Sequence, residues 1–191
     1  MLLSSAENAA KEIRHSHSGK SSEGFLNREL ILANLPIAPN QTILDAGCGD
    51  GYMTKEFAKR TTQGGKVYAL DTNTSQIDIL RKETPATNIE ALVGDITKET
   101  PLAASFIDMV YLAMVIHGFT GDKMAGFLKE VKRLLKPTGT LAIVEMQKKE
   151  TFFGPRLESR ISPEELRNIV DLQPKQLVEI GEYFYLQLFA R

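Results

Sequence analysis

Thr42-Ile43-Leu44-Asp45-Ala46-Gly47-Cys48-Gly49-Asp50-Gly51 is a short apolar run that breaks into three alternating glycines just where a helical pattern begins. It reads as a strand feeding a helix through a turn shaped for a nucleotide-like ligand. Glycine belongs there because a side chain would block close approach of backbone to ligand and strain a turn built on positive φ. The spacing separates two ligand classes. A dinucleotide fingerprint, G-x-G-x-x-G, counted from Gly47 and Gly49, needs its third glycine at position 52, where Tyr52 stands. The third glycine comes early instead, at Gly51, giving acidic-x-G-x-G-x-G. Taken by itself the turn also reads as a tight strand-to-helix connection with no ligand.

Moving outward, Tyr52 to Thr62 has helical character with apolar Met53, Phe57 and Ala58, and Gln63-Gly64-Gly65 stops it. Lys66 to Asp71 is a second buried strand, ending in a carboxylate twenty residues past Gly51. That is close to the offset at which an acid meets ribose hydroxyls in dinucleotide sites, and a carboxylate accepts hydrogen bonds from both hydroxyls. Capping of the next helix is the alternative role for Asp71, although Thr72, Asn73, Thr74 and Ser75 already offer caps. Ile89 to Val93 is a third strand closing with Gly94-Asp95-Ile96, a step that reads equally as a surface turn. The fourth strand runs from Phe106 to Leu112, extended by Ala113-Met114-Val115-Ile116-His117, with Asp108 at its start read as structural. Asp122 to Leu135 is an amphipathic helix that ends at Lys136-Pro137-Thr138-Gly139 and launches a fifth strand, Thr140 to Met146. Ser162-Pro163-Glu164-Glu165 supplies an N-cap, a first-turn proline and a capping-box glutamate for a helix from Pro163 to about Asp171. The link Gly181-Glu182 between the terminal strands Lys175 to Ile180 and Tyr183 to Ala190 is so short that the pair must be antiparallel.

On these residues the chain resembles the class I S-adenosylmethionine-dependent methyltransferases. The likeness is closest to the ubiquinone/menaquinone-biosynthesis-type (type 11-like) small-molecule members and runs from about Gln41 to Met146. Their first motif matches Asp45 to Gly51 residue by residue. The resemblance implies an α/β fold: a Rossmann-like, seven-stranded, mostly parallel sheet with an antiparallel C-terminal strand and helices on both faces. It also implies S-adenosyl-L-methionine as cofactor, held by Asp45, Ala46, Gly47, Cys48, Gly49 and Gly51 in the turn and by Asp71 and Thr72 after the second strand. Gly94-Asp95-Ile96 matches the family's adenine-facing step, in which the acid takes the exocyclic amine and the aliphatic residue packs on the ring. Leu112 and Ala113 match positions beside the methionine part of the cofactor. His117 stands where many small-molecule members carry histidine near the mouth of the substrate pocket. Cys48 occupies a place where the family tolerates cysteine, and Thr138 replaces a glycine in the family's Leu-Leu-Lys-Pro-Gly-Gly phrase. Gly154 to Ser162 resembles a Gly-Pro-rich segment that is implied to form part of the acceptor pocket.

At 191 residues and 42% hydrophobic content the chain suits one well-buried domain. We expect residues 1–191 to form a single methyltransferase domain, with 1–35 as an N-terminal helical lid segment and 36–191 as the core. A helix is expected from Gly24 to Leu35, and the polar residues before it read equally as a lid or as a partly disordered tail. Met1 to Lys20 lacks the apolar core of a signal peptide and no apolar run of about 18 residues exists, so a cytoplasmic protein without a membrane span is expected. The single cysteine forbids an internal disulfide, and a net charge of −1 without a basic face argues against a nucleic-acid partner. No metal site and no oligomeric state are read from the sequence.

Methyl transfer from a sulfonium asks for alignment and a dry pocket more than for many catalytic groups. If the acceptor atom carries a proton, a base must take it, and His117 is the candidate because an unperturbed imidazole titrates near neutrality. A histidine after a strand that merely hydrogen-bonds backbone is the alternative. Glu145, at the end of the fifth strand, is a second candidate, since ligands of open α/β sheets bind at the carboxyl ends of strands. One cysteine is too few for arsenite methylation, and Leu112-Ala113-Met114-Val115 lacks the Asp/Asn-Pro-Pro-aromatic motif of amino-methylating enzymes. A small-molecule acceptor remains by elimination. Two other classes stay open: a non-catalytic S-adenosylmethionine-binding regulatory protein, and a nicotinamide-dependent oxidoreductase.

Overall fold

The computed structural model describes residue 24, residues 26–62 and residues 64–191. The expected lid falls mostly outside these residues. Its helix is shorter than expected: α1 spans Arg28–Asn34, because the Asn27 side chain accepts from the Leu30 amide at 3.1 Å and sets the start.

Seven strands form one sheet in the order β3-β2-β1-β4-β5-β7-β6. They are β1 (Thr42–Ala46), β2 (Lys66–Asp71), β3 (Ile89–Val93), β4 (Ile107–Ala113), β5 (Leu135–Met146), β6 (Gln173–Ile180) and β7 (Phe184–Ala190). β1 to β5 pair in parallel, and β7 lies antiparallel between β5 and β6. The helices α2 (Tyr52–Arg60) and α3 (Thr74–Glu83) cross over between β1, β2 and β3, and α4 (Asp122–Leu134) leads into β5. α5 (Pro163–Ile169) precedes the C-terminal hairpin; its capping box is realised, with the Glu165 carboxylate accepting from the Ser162 amide at 2.8 Å.

Strand residues alternate between two cores because successive side chains point to opposite faces. Ile43, Met109, Tyr111 and Val144 pack with Ile31, Met53 and Phe57 of α1 and α2, while Ala69 and Ala91 meet Ile77 and Leu80 of α3. Leu44, Val110, Leu112 and Ile143 pack on the other side with Phe127 and Val131 of α4 and Leu166 of α5. Helices therefore cover both faces, as a mostly parallel sheet requires. Asp108 is structural: it accepts from the Thr42 amide at 2.8 Å and from the Lys136 ammonium at 2.8 Å, bracing β1, β4 and β5 at the edge opposite the glycine turn.

Other boundaries also differ from expectation. The fourth strand ends at Ala113 and does not continue to His117. Met114 adopts φ 58 after one last ladder bond from its amide to the Val144 carbonyl, and Ile116–Gly118 then forms a 3-10 turn. The chain swings aside there and Val115 packs against the glycine turn. The fifth strand starts earlier than expected, at Leu135, because Pro137 forces the preceding Lys136 out of helical geometry and Leu135 pairs with Ile107.

Candidate functional site

The turn after β1 is tied down from below. The amides of Gly47 and Cys48 donate to the Leu70 carbonyl at 2.7 and 3.1 Å, and the Gly49 amide donates to Asp71 Oδ2 at 2.9 Å. Gly47, Gly49 and Gly51 have φ of 75, 54 and 73°. A Cβ on Gly47 would stand 2.6 Å from Val115, and one on Gly51 2.7 Å from Leu80, so either side chain would have to shift in addition to the strain of a positive φ. Gly49 differs: nothing lies within 4 Å of the Cβ it lacks. That open space over exposed backbone fits the close approach of a ligand such as S-adenosylmethionine.

Asp71 links this turn to the end of β3. Its Oδ1 accepts from the Asn73 amide at 2.8 Å, and its main-chain carbonyl accepts from the Gly94 amide at 3.0 Å. Asn73, not Asp71, caps α3. Beyond Gly94, Asp95 Oδ1 accepts from the Thr97 amide at 2.9 Å and its hydroxyl at 2.7 Å. Partial burial raises the Asp95 carboxyl, but the Thr97 hydrogen bonds and nearby Lys98 outweigh it and hold the group below the usual carboxylate range. Gly47, Gly49, Asp71, Gly94, Asp95 and Ala113 are all half-buried at or just beyond the carboxyl ends of their strands. Ala46 and Leu112 are fully buried and Ile96 nearly so, their side chains packed in the α4-side core, and Thr72 is exposed.

Asp45 sits deeper, 3% exposed, and accepts from the Thr54 hydroxyl at 2.5 Å. Burial, reinforced by Asp71 and Asp50 and opposed by Thr54, pushes its carboxyl up to about 7. The same burial, with Asp45 beside it, pushes the Cys48 thiol well up, which makes it an inert packing group.

At the other end of the edge, His117 and Glu145 meet. His117 Nδ1 lies 3.0 and 3.1 Å from the two carboxylate oxygens, and the Met146 amide donates to Glu145 Oε2 at 3.2 Å. The Glu145 side chain is completely buried, while 15% of the His117 side chain remains exposed. A carboxylate so placed fixes Nδ1 as the protonated nitrogen and leaves Nε2 as the acceptor. Two partnerships escaped the sequence. Glu145 is the lone acid in an apolar strand end, a signal that marks it but does not name its partner. Thr54, in the first turn of α2, carried no signal toward Asp45. A hollow of about 320 Å³ lined by Asp50, Tyr52, Lys55 and Glu83 takes none of the expected cofactor residues. Among the described residues no group of His, Cys, Asp and Glu is arranged to hold a metal, and no helix is long and apolar enough to cross a membrane.

A doubly wound sheet whose carboxyl edge carries a glycine turn, two strand-end acids and a carboxylate-held histidine defines a nucleoside-cofactor protein of the Rossmann-like class. The chain belongs to the methyltransferase domain family, whose model matches residues 44–143, just over half of it. An S-adenosylmethionine-dependent methyltransferase from Aquifex aeolicus superimposes with a TM-score of 0.79 at 25% identity, covering 96% of this chain and 97% of that one. An uncharacterized methyltransferase of Synechocystis is 30% identical over 68% of this chain and 58% of its own length. The ubiquinone/menaquinone biosynthesis C-methyltransferase of Paraburkholderia xenovorans is 30% identical over 61% of this chain and 48% of its own. The chain thus spans roughly half the length of the curated relatives it matches. The family's cofactor is S-adenosylmethionine, and the oxidoreductase alternative has no support.

Proposed function

We propose that this chain transfers a methyl group from S-adenosylmethionine to a small-molecule acceptor. The observation that carries the reading is the double role of Asp71: its carboxylate receives the Gly49 amide and its carbonyl the Gly94 amide. Glycine turn, ribose-facing acid and adenine-facing step are therefore one hydrogen-bonded unit, and a nucleoside laid across it meets all three.

When bound, the cofactor supplies a methyl carbon already activated by a sulfonium. Asp71 keeps lone pairs for ribose hydroxyls beyond its two amide contacts, and Asp95 offers an oxygen to the adenine amine. Gly47 and Ala113 lie at the end of the proposed cofactor site nearest β4, with Asp45 buried beneath the turn. His117, oriented through Nδ1 by Glu145, takes the acceptor's proton at Nε2. The reading keeps residues 1–191 as one catalytic domain, in the cytoplasm, with no nucleic-acid partner; the near-neutral composition supports the last point.

Isothermal titration should show S-adenosylhomocysteine binding and no NAD binding. In a turnover screen with quinol, phenol and amine acceptors, His117→Ala and Glu145→Gln should each lower kcat by about 10²-fold or more with cofactor affinity unchanged. Cofactor binding with no turnover on any acceptor would point to a regulatory binder, and full turnover by His117→Ala would remove the histidine from the chemistry.

A further inference from the structure

The sheet ends differently on its two sides. At β3 the Val67 amide donates to the Asn88 carbonyl at 2.9 Å and the Gly94 amide to the Asp71 carbonyl at 3.0 Å, so even-numbered residues bond to β2 and the Ala91 carbonyl points outward. Arg81 of α3 donates from Nε to that carbonyl at 2.9 Å, and a side chain thus fills the place of a further strand. β6 has no such guard among the described residues: it is the last strand, and none of them pairs with its outer side.

The hydrogen-bonding direction of β6 follows from β7. The Gln147 amide donates to the Tyr183 carbonyl and the Arg191 amide to the Gly139 carbonyl, so odd-numbered residues of β7 bond to β5 and even-numbered ones to β6. Those even-numbered residues face Gln176, Val178 and Ile180, which leaves the amides and carbonyls of Leu177 and Glu179 directed off the sheet. Val178 and Ile180 pack in the core with residues of α1. Lys175, Leu177 and Glu179 alternate with them and are exposed, Leu177 by 44%. Neither Lys175 nor Glu179 has a hydrogen bond or ion-pair partner among the described residues. Placed two residues on either side of Leu177, they stand about 13 Å apart, too far to pair with each other.

We infer that β6 pairs with β6 of a second copy of this chain, antiparallel and about a two-fold axis at Leu177. In that register Leu177 exchanges its outward main-chain bonds with its own counterpart and packs against it, while Lys175 meets the partner's Glu179 and Glu179 the partner's Lys175. A slip of two residues either way sets Leu177 against a charge and leaves the ions unmatched. Pro174 and the bulge beside it stop the ladder at Lys175, and β3 offers no second open edge, so the association closes at two copies. Because β6 runs parallel to β5, the partner's sheet is reversed and its glycine turn lies at the opposite end, so the pairing is independent of the methyltransferase reading.

Sedimentation velocity of the full chain at about 100 μM should show a dimer and no larger species. Lys175→Glu and Glu179→Lys each set like charges opposite one another across the axis, and each should weaken the dimer about tenfold or more with an unchanged circular dichroism spectrum. The variant carrying both substitutions should dimerise as wild type does, and an equimolar mixture of the two single variants should form a dimer that neither forms alone. Exchange of the Leu177 and Glu179 amides with deuterium should be slow in wild type at that concentration and fast in either single variant. A monomeric wild type, an assembly larger than two, single variants that dimerise like wild type, or a mixture that stays monomeric would each overturn the inference. S-adenosylhomocysteine affinity should be equal in all these proteins; its absence in wild type would strike the methyltransferase reading and leave the pairing untouched.

Discussion

Asp45→Asn should flatten the pH dependence of stability. In the folded chain burial pushes this carboxyl up to about 7, whereas an unfolded aspartate titrates near ~3.9. Between those values the native protein keeps a proton that the unfolded chain has released. Native binding of more protons means that stability falls as pH rises from about 4 to about 7, and the loss is complete above that. Three units correspond to about 4 kcal/mol, of which about 2–3 kcal/mol develops between pH 5 and pH 8. Asparagine keeps an acceptor for the Thr54 hydroxyl and carries no charge in either state. Urea unfolding of wild type and Asp45→Asn at pH 5 and pH 8, without cofactor, gives the comparison. Wild type should lose about 2–3 kcal/mol more than the variant over this interval. Parallel pH profiles for the two proteins would refute the reasoning, because they would mean that Asp45 ionises in the ordinary carboxylate range despite its burial.

Gly47→Ala and Gly49→Ala should part company. Both impose a left-handed conformation on alanine at about 1–2 kcal/mol, but only Gly47→Ala also drives a methyl to 2.6 Å from Val115, so scanning fluorimetry should show the larger loss of Tm there. Gly49→Ala, with nothing within 4 Å, should stay folded yet bind S-adenosylhomocysteine at least tenfold more weakly by calorimetry, since its methyl takes the open space. Ser162→Ala removes the acceptor for the Glu165 amide and should cost about 1 kcal/mol in urea unfolding, with cofactor affinity unchanged.

The architecture was legible because each decision was local. The strand, three glycines and helix at Thr42 to Arg60 are contiguous, and the link at Gly181-Glu182 is too short for anything but an antiparallel return. Features fixed by distant contacts were not legible. Ala113-Met114-Val115-Ile116 is apolar and continues the strand pattern, yet the chain turns at Met114 and sets Val115 against Gly47, 68 positions earlier, a contact the local sequence does not announce. The meeting of His117 with Glu145 depends on β4 lying beside β5, a pairing that no residue near either one announces. The buried Arg160 offered no hint that it holds the segment after β5, because its partners are main-chain carbonyls and one threonine hydroxyl, which carry no signal in a sequence.

The three acids at the ends of β1, β2 and β3 are chemically alike, yet their surroundings give them different work. Asp45 faces the α2 side at the sheet's centre, next to Thr54 and under the turn, where water is excluded and charge is costly. Asp71 and Asp95 stand on the rim, where backbone amides already aim at them. Each amide contact uses only part of a carboxylate's accepting capacity, so on the proposed reading the hydroxyl and amine donors of a nucleoside would add to the existing bonds without displacing them. Binding then needs little rearrangement of the rim, which is the advantage of preorganisation. Asp45, by contrast, gains most from a cation: a sulfonium or ammonium brought near the turn favours its charged form, so cofactor binding below about pH 7 should release a proton. S-adenosylmethionine affinity should therefore rise with pH up to about 7 in wild type and lose that slope in Asp45→Asn. Calorimetry in two buffers of different ionisation enthalpy measures the proton count directly. Equal heats in both buffers at pH 6 would show that Asp45 does not respond to the cofactor.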